Sequence, residues 1–248
     1  MDDFSQYCMR HKRLAYPNKN FTIYLSGGMA VKLYLMDKGV DPIPKKVAST
    51  KDYDFVFAVH RPLTTEKEVE RYSLAMYNFM YNFIKGYVRP DQLKIKSYTR
   101  KSFIPASGKR TYHVVQFKKA DGGDFVDCTL SYIPKFTRHE VNSEFARKYG
   151  LPIKRLRYMY KEILTVLAGS FVYKKILPRN PLGKENPEKG LRNVARVKAL
   201  RKLRDTKTPQ TTEFLKAIQE KKKKAALTKA RAIIREIARI RKLNEGTK

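Results

Sequence analysis

Between Phe21 and Val59 the chain reads FTIYLSGGMAVKLYL, then a polar, proline-containing insert, then STKDYDFVFAV. Few folds accommodate that order. Phe21 to Leu25 is a short β-branched and aromatic run, the pattern of a buried strand. Gly27 and Gly28 interrupt it, and from Met29 to Met36 the apolar positions Ala30, Val31, Leu33, Tyr34 and Leu35 suit a short buried helix. A strand, a glycine turn and a helix N-terminus can turn backbone N–H groups toward a phosphate. Taken alone, the diglycine is more simply a tight turn needing positive φ.

The second strand opens on Asp52 and Asp54. Residues two apart share a strand face, so the carboxylates project together while Tyr53, Phe55 and Phe57 take the other face. Such a pair is either a solvated strand start or a platform of hard oxygen ligands for a cation such as Mg²⁺. A third carboxylate joins them. Tyr112–Lys119 and Phe125–Tyr132 read as strands about a turn containing Asp121, Gly122, Gly123 and Asp124, a hairpin pattern. Val126, Cys128, Leu130 and Tyr132 form one apolar face. Asp127 lies on the other with Phe125, Thr129 and Ser131, and a mid-strand carboxylate needs a partner or a metal. Asp124, at the turn, reads as a solvated loop residue.

The order Leu25-Ser26-Gly27-Gly28, helix, Asp52-x-Asp54 on a strand and Asp127 on a later strand resembles the nucleotidyltransferase superfamily of polymerase-β type. Within it the chain looks most like the poly(A) polymerase catalytic subunit of large DNA viruses, best over residues 20 to 135. The resemblance implies an α+β fold with a mixed sheet and flanking helices. It implies transfer of AMP from ATP to an RNA 3′ hydroxyl, with two Mg²⁺ ions, or Mn²⁺ in their place. Asp52, Asp54 and Asp127 match its metal carboxylates. Gly27 and Gly28 match its phosphate turn, with Ser26 and Lys32 as further nucleotide contacts. An intracellular site, host cytoplasm or nucleus, or packaging in a virion follows from the same resemblance, as does room for a partner subunit. Two features differ from the family. The stretch Asp37 to Thr50, with Pro42 and Pro44, must loop out between the motifs, and the chain is shorter than the viral enzymes.

Charge argues independently for a polyanionic partner. Lys and Arg number 54 against 23 Asp and Glu, a formal net charge of +31 over 248 residues. That balance points to nucleic acid. It also admits a different class of function, a basic packaging protein that keeps a nucleotidyltransferase outline with little or no catalysis. The two cysteines, Cys8 and Cys128, provide no disulfide framework or zinc spacing, which fits a reducing compartment. The acidic start Met1-Asp2-Asp3 does not read as a signal peptide. No apolar run is long enough to span a bilayer, so no membrane partner is expected.

The rest of the chain divides by composition. Residues 1–138 form the expected catalytic core. It opens with a helix over residues 2–14 that turns Phe4, Tyr7, Cys8 and Leu14 inward. A longer helix over 65–85 follows the second strand, with a Thr65-x-x-Glu68 capping box and Gly86 as its C-terminal cap. Tyr72, Tyr77 and Tyr81 on that helix read as core before base-stacking groups. Lys94 to Ile104 alternates as a strand with a basic face of Lys94, Lys96, Tyr98 and Arg100. Residues 139–177 read as a helical lobe, with helices over Val141–Tyr149 and Ile153–Ala168, and 178–188 as a turn-rich linker. Residues 189–248 form a basic helical tail carrying 20 Lys and Arg against 5 Asp and Glu. Its apolar stripes predict three helices, the first through Leu191, Val194, Leu200 and Leu203.

Overall fold

The computed structural model describes residues 2–104, 108–122, 125–131, 140–160, 162–163, 187–201 and 203; for 99–104, 108–112, 125, 187–191 and 201 the description covers the backbone alone. The residues group into two compact units: Met1–Ser102 with Thr111–Tyr160, and Phe103–Arg110 with Lys161–Lys248. Residues 139–160 thus fall in the same unit as the strands that carry the motifs, although composition assigns them to a separate lobe.

The first unit is α+β. Its elements are α1 (Asp3–His11), a 3₁₀ turn (Arg13–Ala15), β1 (Phe21–Ser26), α2 (Gly27–Asp37), α3 (Lys45–Ala48), β2 (Asp52–Val59) and α4 (Glu66–Ile84). A second 3₁₀ turn (Pro90–Gln92) leads to β3 (Leu93–Ile104), β4 (Gly108–Lys119), β5 (Phe125–Ser131) and α5 (Ser143–Tyr149). The strands form one mixed sheet in the order β1-β2-β5-β4-β3. β1 and β2 are antiparallel, β2 and β5 parallel, and β5 and β4 antiparallel.

One sheet face carries the core. Tyr53, Phe55 and Phe57 of β2, Phe117 of β4 and Val126, Cys128 and Leu130 of β5 are all buried there. α1 and α4 pack on that face through rings: Phe4 edge-on to Tyr53, Phe79 edge-on to Phe57, and Tyr77 stacked on Phe117. Tyr72 meets Phe21 and Tyr77 stacks on Tyr81, so the helix tyrosines belong to the core side. Phe4, Tyr7, Cys8 and Leu14 are buried, as their spacing predicts.

Local signals explain most boundaries. α1 is capped by Asp2, whose carboxylate accepts from Ser5 N–H at 2.9 Å. The capping box at α4 is complete, with Thr65 accepting from Glu68 N–H and Glu68 reaching back to the cap backbone. Gly86 does not act as a left-handed cap. Its Cβ would lie 2.5 Å from the Tyr7 hydroxyl, which donates to Phe83 O at 2.8 Å. The insert holds one helical turn, α3, anchored by fully buried Val47.

Two helix starts after the sheet strands also differ from the sequence reading. α5 begins at Ser143 rather than Val141, because Asn142 caps it by accepting from Phe145 N–H. The next helix, α6, begins at 156 rather than Ile153 and is helical at 156–160 and 162–163. The preceding backbone is spent elsewhere: Leu25 N–H donates to Pro152 O, and Asn142 N–H to Ile153 O. Ile153 bridges Leu25 in parallel, so this segment extends the sheet edge beside β1. Gly150 ends α5 at φ 65°, and a Cβ there would collide with Cys8 O of α1. The rest of the predicted Ile153–Ala168 helix, the linker over 178–186 and the two later tail helices lie outside the described residues.

Of the second unit, α7 (Pro187–Arg201) is the first predicted tail helix. Ala199 and Leu200 are buried in it, and the buried Arg196 donates to Asn193 at 3.0 Å. Among the described residues no helix is long and apolar enough to cross a membrane.

Candidate active site

Strand register brings the three carboxylates together. Asp54 lies opposite Asp127 in the parallel β2–β5 pair and opposite Ser26 in the antiparallel β1–β2 pair. Asp52 lies opposite Phe125, one pleat along. Cross-strand partners project from the same face, and that face is the one not filled by Tyr53, Phe55 and Phe57. Exposure falls from Asp52, which is exposed, to Asp54 and Asp127, which are half-buried.

Asp127 is the strained member electrostatically. Burial raises its pKa to about 6, opposed by a hydrogen bond from Gln116 and reinforced by the charges of Asp54 and Asp52. Gln116 Nε2 donates to Asp127 Oδ2 at 3.1 Å from the directly opposite position on β4. The other oxygen, Oδ1, is buried with no protein donor. An anionic oxygen in that condition is costly unless a cation or a proton reaches it.

The glycine turn presses on the same place. Gly27 has φ 67°, and a Cβ on it would sit 2.5 Å from Asp54 Oδ2. The residue therefore meets both demands that call for glycine, a left-handed backbone and a close approach. α2 starts at Gly27 itself, two residues before the apolar run that predicts it, with Ser26 as its N-cap. The Ser26 side chain makes no capping hydrogen bond. The N–H groups of the first turn, including those of Gly27 and Gly28, have no partner within the helix. Gly27, the first of these residues, lies against Asp54. Lys32 is engaged: its ammonium donates to Thr50 O at 3.2 Å, tying α2 to the insert two residues before Asp52.

The position of β2 depends on α1. Tyr53, between the two carboxylates, is fully buried, and its hydroxyl donates to Asp2 at 2.5 Å and meets the Ser5 hydroxyl. The N-terminal helix cap is thus bonded to the strand that displays Asp52 and Asp54.

Whether these residues suit a hard divalent cation can be judged from their chemistry. Three carboxylates share a face, one offers a buried oxygen without a protein donor, and the second lies against Gly27, where only the lack of a Cβ leaves it room. The donor set fits Mg²⁺ or Mn²⁺. The side chains as they stand do not close around an ion: among the described residues no three His, Cys, Asp or Glu form a group that could hold a metal.

Sequence reasoning missed Gln116 and the Asp2–Tyr53 bond. Counting outward from the predicted strand ends, Lys119 and Phe125, sets Phe117 across from Asp127; the observed pairing of Lys118 with Phe125 shifts the register by one and brings Gln116 there. No local pattern signals the second. Asp124 and Tyr132 lie outside the described residues.

No protein-family profile matches the chain, and no curated protein is similar to it. Among solved structures it is similar to the crystal structure of JHP933 from Helicobacter pylori, at 13% identity over 94% of this chain and 97% of that one. The TM-score is 0.33.

Proposed function

We propose that the protein is a Mg²⁺-dependent nucleotidyltransferase that adds AMP from ATP to an RNA 3′ end, with the polymerase-β type of active site that its motifs resemble. The observation that carries the reading is the alignment of Ser26, Asp54 and Asp127 across three adjacent strands, with the Gly27 turn against Asp54.

Each residue then has a task. The backbone N–H groups at Gly27 and Gly28 bind the donor's terminal phosphates, and the missing Cβ atoms admit them. Asp52, Asp54 and Asp127 would hold the ions. When bound, the ions lower the pKa of the acceptor hydroxyl and offset charge on the leaving pyrophosphate. Gln116 fixes Asp127 Oδ2 and leaves Oδ1 for the site. Asp127, beside the acceptor in this reading, assists its deprotonation.

Purified protein should extend a labelled RNA primer with ATP and Mg²⁺. Asp54→Ala should cut the rate by about a thousandfold, the equivalent of ~4 kcal/mol of transition-state stabilisation. Equal extension by wild type and variant would overturn the assignment. The net charge of +31 favours a second reading, a basic nucleic-acid packaging protein, including a virion component, that retains this outline. It predicts RNA binding without thermal stabilisation by ATP and Mg²⁺.

A further inference from the structure

The carboxylate face of the sheet does not end at Asp127. In the row that begins Ser26–Asp54–Asp127–Gln116, the next strand outward is β3, the sheet edge. Only three residues separate β3 from β4, which antiparallel neighbours alone allow. Ala120 N–H donates to Gln92 O at 2.8 Å. Counting inward from that bond sets Lys94 beside Lys118 and Lys96 beside Gln116. An independent observation agrees: Leu93 lines a small apolar cleft with Phe4, Phe117 and Val126, so it faces the helices. Strand alternation then turns Lys94, Lys96 and Tyr98 to the carboxylate face.

Lys94, Lys96 and Lys118 are exposed, and Tyr98 is 36% exposed, with the Lys96 ammonium 5.8 Å from its ring centre. Among the described residues no acidic side chain forms an ion pair with any of the three lysines. One face is thus acidic on β2 and β5 and basic on β4 and β3. Two strand spacings, ~10 Å, separate Asp127 from the β3 row.

We infer that Lys94, Lys96, Lys118 and Tyr98 form the track for the acceptor, a single-stranded RNA whose 3′ end points toward Asp127. The lysines take backbone phosphates, and the tyrosine ring offers a stacking surface for one base. Three cations and an aromatic on one strand-edge surface match a single strand, whose phosphates and unpaired bases are both accessible. The direction of the 3′ end rests on the nucleotidyl-transfer reading; the binding surface does not.

The test uses the full chain. A triple variant, Lys94→Ala with Lys96→Ala and Lys118→Ala, is compared with a control triple of equal charge loss on other exposed lysines, Lys19→Ala with Lys67→Ala and Lys85→Ala. Binding of fluorescent oligoadenylate is measured across a salt series, and melting temperatures check folding. The track triple should lose affinity about tenfold, and its log–log salt slope should flatten by about 2. The control triple should stay within about twofold of wild type, and Tyr98→Ala should weaken binding about fivefold. Equal weakening of both triples, or wild-type affinity in the track triple, overturns the track. Thermal stabilisation by ATP with Mg²⁺ separates the two readings. If the track triple loses RNA while even wild type gains no stability from ATP and Mg²⁺, the track stands and the transferase reading falls.

Discussion

The two halves of the carboxylate face of the sheet are built by different physics. On β2 and β5, charge is placed under constraint. Asp127 is half-buried with one oxygen lacking a protein donor, and Asp54 is pressed by a glycine that has no room for a Cβ. On β4 and β3, charge is placed freely, with Lys94 and Lys96 on the edge strand and Lys118 on its neighbour, all exposed. The contrast teaches where each kind of chemistry belongs. Partly desolvated carboxylates hold a raised pKa and an oxygen without a protein donor. Solvated lysines recognise a long polyanion without needing a fixed geometry.

The comparison can be broken most sharply at Gly27. Gly27→Ala forces a side chain into a left-handed backbone and into Asp54 Oδ2. It should destabilise the fold by about 2 kcal/mol in urea unfolding and impair ATP binding. RNA binding at the basic half should survive in whatever fraction remains folded. If Gly27→Ala is neutral, the acidic half is less tightly built than the geometry requires.

A smaller effect tests the charge on Asp127. Its folded pKa of about 6 lies above the ordinary 3.8, so the folded state binds the proton more tightly. Stability is therefore complete below about pH 4 and declines as pH rises toward 6. Asp127→Asn should remove that decline and gain about 1 kcal/mol at pH 7, allowing for partial solvent screening. A decline with pH that is identical in the two proteins would assign it to other groups.

Tyr53→Phe removes the hydroxyl shared with Asp2 and Ser5. It should cost about 1 kcal/mol of unfolding stability. Smallest of all, the track lysine triple should change stability by less than about 0.5 kcal/mol. A larger loss would mean those lysines are structural, and the contrast between the halves would dissolve.

Much of this site was legible from residue order. Alternation put Asp52 and Asp54 on one face, because the pleat repeats every two residues whatever the strand pairs with. The same rule set Asp127 opposite Val126, Cys128 and Leu130, all buried. The α4 start was legible because a capping box is a local exchange of two hydrogen bonds. The helix start at residue 141 was misplaced because Asn142 serves as the cap, and the one at 153 because backbone bonds to a distant segment outcompeted local periodicity, as Leu25 N–H to Pro152 O shows.

By itself the sequence determined the periodicities, the caps, the glycine turn and the charge excess, since each depends on neighbours within a few residues. Tertiary structure alone decided that β5 lies parallel to β2, with Asp127 level with Asp54. It alone placed Gln116 on one oxygen of Asp127 and tied Tyr53 to Asp2. Those contacts join residues up to 73 positions apart, as Asp54 and Asp127 are. No local propensity encodes them, because strand order is settled by how the whole chain buries its apolar face.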